Sequence, residues 1–156
     1  MFVEAGTGRT AKPIRFVNET IWVKASSADT LGKYTMFENH IPPDGGPPLH
    51  VHHREDEWFY VLEGTFVFEV DGRPMTAKVG DSLLAPRDIP HRFLNVGRET
   101  GRLLGMVEPG GFEHFFQELA AALNGAPEFV PELLMPIAGK YGLELLGPPL
   151  TPPAGG

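Results

Sequence analysis

From residue 14 to residue 108 the chain reads as a run of about ten apolar segments, each about five to eight residues long and closed by glycine, proline or an Asp-Gly pair. "IRFV", "TIWVKA", "KYTMFENHI", "EWFYVLEG", "TFVFEVDG" and "GRLLGMVEP" are examples. That punctuation leaves no room for long helices before residue 108. It dictates a mainly β fold, an antiparallel sandwich or barrel. The sharpest turn is "VDGR" at 70–73, because Asp-Gly supplies the positive φ angles of a two-residue hairpin. "PPDGGPP" at 42–48 can continue neither a helix nor the interior of a sheet, so a loop crosses there.

Past Pro109 the period changes. "GFEHFFQELAAALN" carries Phe112, Phe115, Phe116, Leu119 and Leu123 at helical spacing, and Asn124-Gly125 ends the helix. A second short helix is expected after Pro131, interrupted near Pro136, and the tail "GPPLTPPAGG" is expected to be extended and poorly ordered. The organisation read from the chain is one domain in three parts. N-terminal strands over 1–29 pack on a barrel over 30–107, and 108–156 form a short C-terminal helical extension with a Pro/Gly tail.

Charge and composition remove several function classes. A net charge of −7 without a basic stripe excludes a nucleic-acid footprint, and no polybasic surface points to a membrane. With no cysteine there is neither a thiolate nucleophile nor a sulfur-bound metal, so any metal is held by nitrogen and oxygen. "MFVEAGTGRT" lacks the apolar core of a signal peptide, and a cytoplasmic location is expected. "GTGRTA" at 6–11 fits a loose phosphate-loop pattern, but no strand precedes it and no amphipathic helix follows.

The chemistry concentrates in "HVHHREDEWFYVLEG" at 50–64. His50 and His52 share one face of a strand, since side chains alternate with period two, and His53 points away. Five positions separate His52 from Glu57, an odd number, so a turn must intervene before the carboxylate can join the imidazoles. "HRED" supplies that turn. Phe59 and Val61 share the parity of Glu57 and would line the same interior, whereas Trp58, Tyr60 and Leu62 would face outward. His91, stiffened by Pro90 before it, offers a fourth ligand, and Phe93 and Asn95 share its face.

These intervals resemble those of the cupins. Their first motif, G-x5-H-x-H-x3,4-E-x6-G, is matched by His50, His52, Glu57 and Gly64, with the leading glycine displaced to Gly45. Their second, G-x5-P-x-G-x2-H-x3-N, is matched by Gly80, Pro86, His91 and Asn95, with Asp88 at the inner glycine. Aspartate tolerates left-handed backbone better than most residues. The resemblance covers roughly residues 30–107. It implies an antiparallel double-stranded β-helix, the jelly-roll cupin barrel, with His50, His52, Glu57 and His91 holding one divalent metal. Iron, manganese, nickel or cobalt would suit such a site, and zinc also fits. A homodimer is implied as well.

His53, His114 and His40 are expected to be ordinary surface or hydrogen-bonded histidines, and Glu55 and Asp56 to cap the turn and face solvent. Three neutral imidazoles and one carboxylate leave a divalent ion with one positive charge, which favours an anionic oxygen ligand. The reading that follows is a metal-dependent dioxygenase acting on an enolisable or aromatic small molecule, similar to quercetin dioxygenase-like cupins. Glu57 would serve as both ligand and proton acceptor. Phe59, Val61, Phe93 and Met106 are the expected substrate wall, joined by Met36 or Phe37 and by Phe66 or Val67. The alternatives are a non-catalytic cupin that binds metal or a small ligand, and an isomerase or lyase using the metal as a Lewis acid.

Overall fold

The structure is a computed structural model that describes residues 1–152. Among the described residues, eleven strands and two helices follow in the order β1 (Ile14–Phe16), β2 (Glu19–Ala25), β3 (Thr35–Ile41), β4 (Pro48–His52), β5 (Asp56–Glu63), β6 (Thr65–Val70), β7 (Arg73–Lys78), β8 (Ser82–Ala85), β9 (His91–Asn95), β10 (Gly101–Glu108), α1 (Glu113–Leu123), α2 (Pro131–Lys140) and β11 (Leu143–Pro149). Two antiparallel sheets form the jelly roll, ordered β1-β2-β3-β10-β5-β8 and β11-β4-β9-β6-β7. Asp71 and Gly72 both take positive φ, as the β6–β7 hairpin demands.

Alternation along each strand decides what faces inward. On β5, Glu57, Phe59 and Val61 are buried, while Trp58, Tyr60 and Leu62 are half-buried on the outer face. Glu57 pairs with Val107 of β10, so Val107, Gly105 and Leu103 point inward. Met106 therefore sits outside, paired with Trp58 and Met36, and is not part of the cavity wall, where strand parity without a fixed register had put it. Parity alone left its face open. The register against Glu57 closes it.

Two apolar clusters fill the interior. Ile41, Phe59, Val61, Phe66, Phe68, Phe93 and Leu103 form one inside the barrel. The other joins the inner face of β1–β3 to the helices, where Phe16 stacks on Phe116 with ring centroids 5.7 Å apart and Phe37 meets Phe116 at 5.1 Å. The phenylalanine stripe of α1 thus closes the mouth of the barrel. Glu113 anchors the start of this helix, accepting hydrogen bonds from Ser27 N, Ser27 Oγ and Thr35 Oγ1. Asn124 ends it in the left-handed conformation.

Two expectations for the C-terminal part are corrected. The second helix runs through Pro136 to Lys140, because Leu134, Ile137 and Ala138 bury against α1 and β11 and that packing outweighs the local cost of the ring. Residues 143–149, which include the start of the expected loose tail, form β11, paired antiparallel with β4. Pro148 and Pro149 are tolerated because this strand lies at a sheet edge. The rest of that tail beyond residue 152 lies outside the described residues.

Among the described glycines, Gly46 is the most tightly enclosed. At Gly46 a Cβ would lie 1.9 Å from the Phe93 carbonyl oxygen, so the loop between β3 and β4 can cross β9 only with glycine there. Asp44 N donates to Asn95 O and Asn95 N to Gly45 O, which straps the loop to the strand that carries His91.

Candidate metal centre

His50 and His52 end β4, Glu57 lies on β5 and His91 opens β9, directly opposite His50 in the ladder. All four are buried, and one ligand-type atom from each lies within 4.8 Å of the others. A metal with N and O ligands at about 2.1 Å holds neighbouring ligand atoms about 3.0 Å apart and opposite ones about 4.2 Å apart. The cluster fits that spacing. Its donors, three imidazoles and one carboxylate, match a divalent transition metal.

The outer nitrogens of the rings show which atoms are free. His50 Nδ1–H donates to Pro48 O at 2.7 Å and His91 Nδ1–H to Ile89 O at 3.1 Å, while His52 Nδ1–H faces a Glu55 carboxylate oxygen at 3.3 Å. Each ring is thus oriented from behind, leaving Nε2 for the centre. His52 Nε2 and His91 Nε2 lie 3.2 and 3.0 Å from Glu57 Oε2. Glu55 departs from expectation: it is buried and buttresses His52 instead of facing solvent. Its position three residues after His52 across a tight turn is the signal that sequence reading passed over.

Electrostatics follow from burial and from these partners. Burial, with the neighbouring His91 and His52, pushes His50 down to about 3, so its ring is neutral. Burial also opposes charge on His52, but the carboxylates of Glu57 and Glu55 outweigh it and raise this imidazole to about 9. For Glu57 burial favours the neutral acid, yet His52 and His91 hold it well below the usual carboxylate range. A metal bound here would displace the proton held on His52.

A loop strap joins the two ligand-bearing segments. Asp88, at φ +64° as its substitution for glycine requires, donates its N–H to His52 O. Arg87 pairs with Asp56 through two side-chain contacts of 3.1 Å. His53 bridges Asp88 and Glu144, His40 bonds Glu38 at 2.7 Å, and His114 is exposed, so none of the three joins the cluster.

The centre opens on a cavity walled by phenylalanine. Phe37, Phe59, Phe93 and Phe112 line it, and Phe112 packs on His52 with centroids 4.7 Å apart. Val61 and Phe66, expected in the wall, lie instead in the adjoining barrel core, packed among Phe59, Phe68 and Leu103. Two polar residues that sequence reading missed also line this cavity, Glu19 and Asn39. Asn39 Nδ2 donates to Glu19 Oε2 at 2.8 Å. No local signal marks them, since Glu19 lies in the polar run Asn18-Glu19-Thr20 and Asn39 between Glu38 and His40, and neither run by itself singles out the member that lines a cavity.

Burial pushes Glu19 up to about 7, only partly opposed by the Asn39 amide. The folded state therefore keeps a proton that the unfolded chain releases, and stability should fall as pH rises from about 4.5 to about 7. The expected loss reaches about 3 kcal/mol. In Glu19→Gln this component disappears, so urea unfolding should show the variant more stable than wild type at pH 8 and close to it at pH 4.5. The same pH dependence in both proteins would contradict the assignment.

Comparison with known proteins agrees with this geometry. Residues 37–107 match the family model described as "Cupin domain". The chain is 28% identical over 103 residues to the quercetin 2,3-dioxygenase of Bacillus subtilis, a match covering 66% of this chain and 30% of that protein. The chain thus spans less than a third of that relative's length. Among solved structures, a predicted oxalate decarboxylase from Thermotoga maritima superposes with a TM-score of 0.65 at 23% identity, covering 70% of this chain and 99% of that one. The polyketide cyclase RemF from Streptomyces resistomycificus gives 0.52 at 26% identity, covering 65% and 71%. Among the described residues no helix is long and apolar enough to cross a membrane. With both motifs, the two-sheet jelly roll and the family match in agreement, residues 37–107 of this chain are a cupin domain.

Proposed function

We propose that the protein is a metal-dependent dioxygenase acting on an enolisable or aromatic small molecule. The observation that carries this reading is the buried His50, His52, Glu57 and His91 cluster opening on a phenylalanine-walled cavity. The similarity to a quercetin 2,3-dioxygenase supports it. A divalent ion held by these four residues would supply Lewis acidity toward an anionic substrate oxygen and, as iron, manganese, nickel or cobalt, redox access to dioxygen.

The chain's own residues do the rest. The rings of Phe37, Phe59 and Phe93 orient a flat substrate and exclude water. Two carboxylates stand in the wall for the proton lost on enolisation, Glu57 and Glu19. Glu19, lifted close to neutrality, has the better-matched affinity for such a transfer. A second reading, Lewis-acid ring closure or isomerisation without oxygen, draws support from the likeness to a polyketide cyclase.

An oxygen electrode separates the two. Protein reconstituted with each metal should consume oxygen when offered a flavonol or a β-diketone, and Glu57→Gln, which keeps the shape and loses the charge, should not. Product formed without oxygen uptake would replace this reading with the Lewis-acid one. Neither product nor any substrate-induced change in the metal's spectrum would reduce the protein to a binding module.

A further inference from the structure

We infer that Asn39, held by Glu19, is a recognition site for the hydroxyl group of an aromatic ligand, set where an outer groove meets the metal cavity. This deepens the reading of the cavity as a substrate site and is independent of oxygen chemistry.

Asn39 points inward from β3 on the face shared with Phe37 and Ile41. Its row across the sheet is otherwise apolar, running Ile21, Asn39, Leu103, Val61. Asn39 and Glu19 are each only 6% exposed. The amide nitrogen is satisfied by Glu19, but Asn39 Oδ1 is buried without any hydrogen-bond partner. An acceptor in that state destabilises the fold unless something donates to it. The neighbouring Phe16, Phe37, Phe59 and Phe93 rings cannot, and the carboxyl of Glu19 meets the amide at Nδ2, not at Oδ1. Nor is the pair needed to join its strands, because β2 and β3 already share a backbone ladder with Ile21 opposite Asn39.

The missing donor is thus expected from a ligand. The aromatic wall favours a ring, and the carboxyl of Glu19 behind the amide disfavours an anion in favour of a neutral hydroxyl. The cavity also adjoins a groove. Glu19, Pro48, Phe129, Leu134 and Leu145 line both the metal cavity and a larger groove between the 42–48 loop and the α1–α2 connection.

The test uses p-cresol and toluene, which differ only by the hydroxyl, titrated by calorimetry into the protein as purified. In a purely apolar cavity toluene binds as well or better, because the hydroxyl loses its water. Here p-cresol should bind about tenfold tighter. The preference should persist after chelation of the metal and should shrink to within about twofold in Asn39→Leu. Wild-type NMR gives a second readout that needs no variant: the Asn39 side-chain amide signals should shift with p-cresol and not with toluene. Equal binding of the two, absence of binding by both, or an unmoved amide would overturn the proposal. So would a preference that vanishes with the metal, which would place the hydroxyl on the ion. Loss of oxygen uptake with p-cresol preference intact would count against the dioxygenase reading alone.

Discussion

His50→Ala, His52→Ala, Glu57→Ala and His91→Ala are each expected to reduce the metal content of purified protein to a small fraction of wild type, while His53→Ala and His114→Ala leave it unchanged. Each of the four supplies one atom to a cluster only 4.8 Å across, and the last two bond elsewhere. Removing one ligand leaves the others oriented, but a three-point site loses the carboxylate charge or one of the imidazoles that match the ion. The stability consequence is bounded. Metal that binds only the folded state adds about 2.7 kcal/mol when free metal is a hundredfold above Kd. The four variants should therefore unfold near chelated wild type, with the barrel still formed, as its core does not depend on the ion. Elemental analysis beside thermal melts decides it, and full occupancy in His91→Ala would break the four-ligand model.

Phe112→Ala is the second large effect. This ring is 4% exposed, stacks on Phe115 at 4.8 Å, meets Phe116 edge-on at 5.1 Å and packs on His52. Truncating a buried phenylalanine costs about 3–5 kcal/mol, part of it for the cavity left behind. Here the damage reaches the centre, since Phe112 joins α1 to the barrel mouth beside a metal ligand. The urea midpoint should fall by the corresponding amount with little change in slope, and chelators should strip metal faster than from wild type. Met135→Ala, at a residue 60% exposed, should stay within about 0.5 kcal/mol of wild type. Equal costs for the two would show that α1 does not seal the cavity.

What the sequence disclosed and what it hid divide along the range of the forces involved. The convergence of His50, His52 and Glu57 was legible because period-two alternation and one odd interval force a turn between His52 and Glu57, and the structure has that turn and brings His91 of the 80–95 segment to the same cluster. Asp71-Gly72 and Asp88 were legible because backbone sterics act locally. Met106 was misplaced because its face depends on pairing with a strand more than forty positions away in the chain, where Val107, not Met106, meets Glu57. β11 was missed because its proline-rich sequence becomes a strand only when β4 offers an edge. Glu55 was placed on the solvent side, and Glu19 and Asn39 went unnoticed, for a related reason. Each gains meaning from a partner or a missing partner that only the folded chain brings near.

The most direct test is metal stoichiometry combined with X-ray absorption on protein purified without added metal or chelator. The account predicts one divalent ion per chain, with a coordination shell of only nitrogen and oxygen at about 2.1 Å and the outer-shell scattering of imidazole rings. In His50→Ala the ion should be lost or its imidazole scattering reduced. Protein that comes out metal-free and takes up no divalent ion on dialysis against iron, manganese, nickel, cobalt or zinc would contradict it.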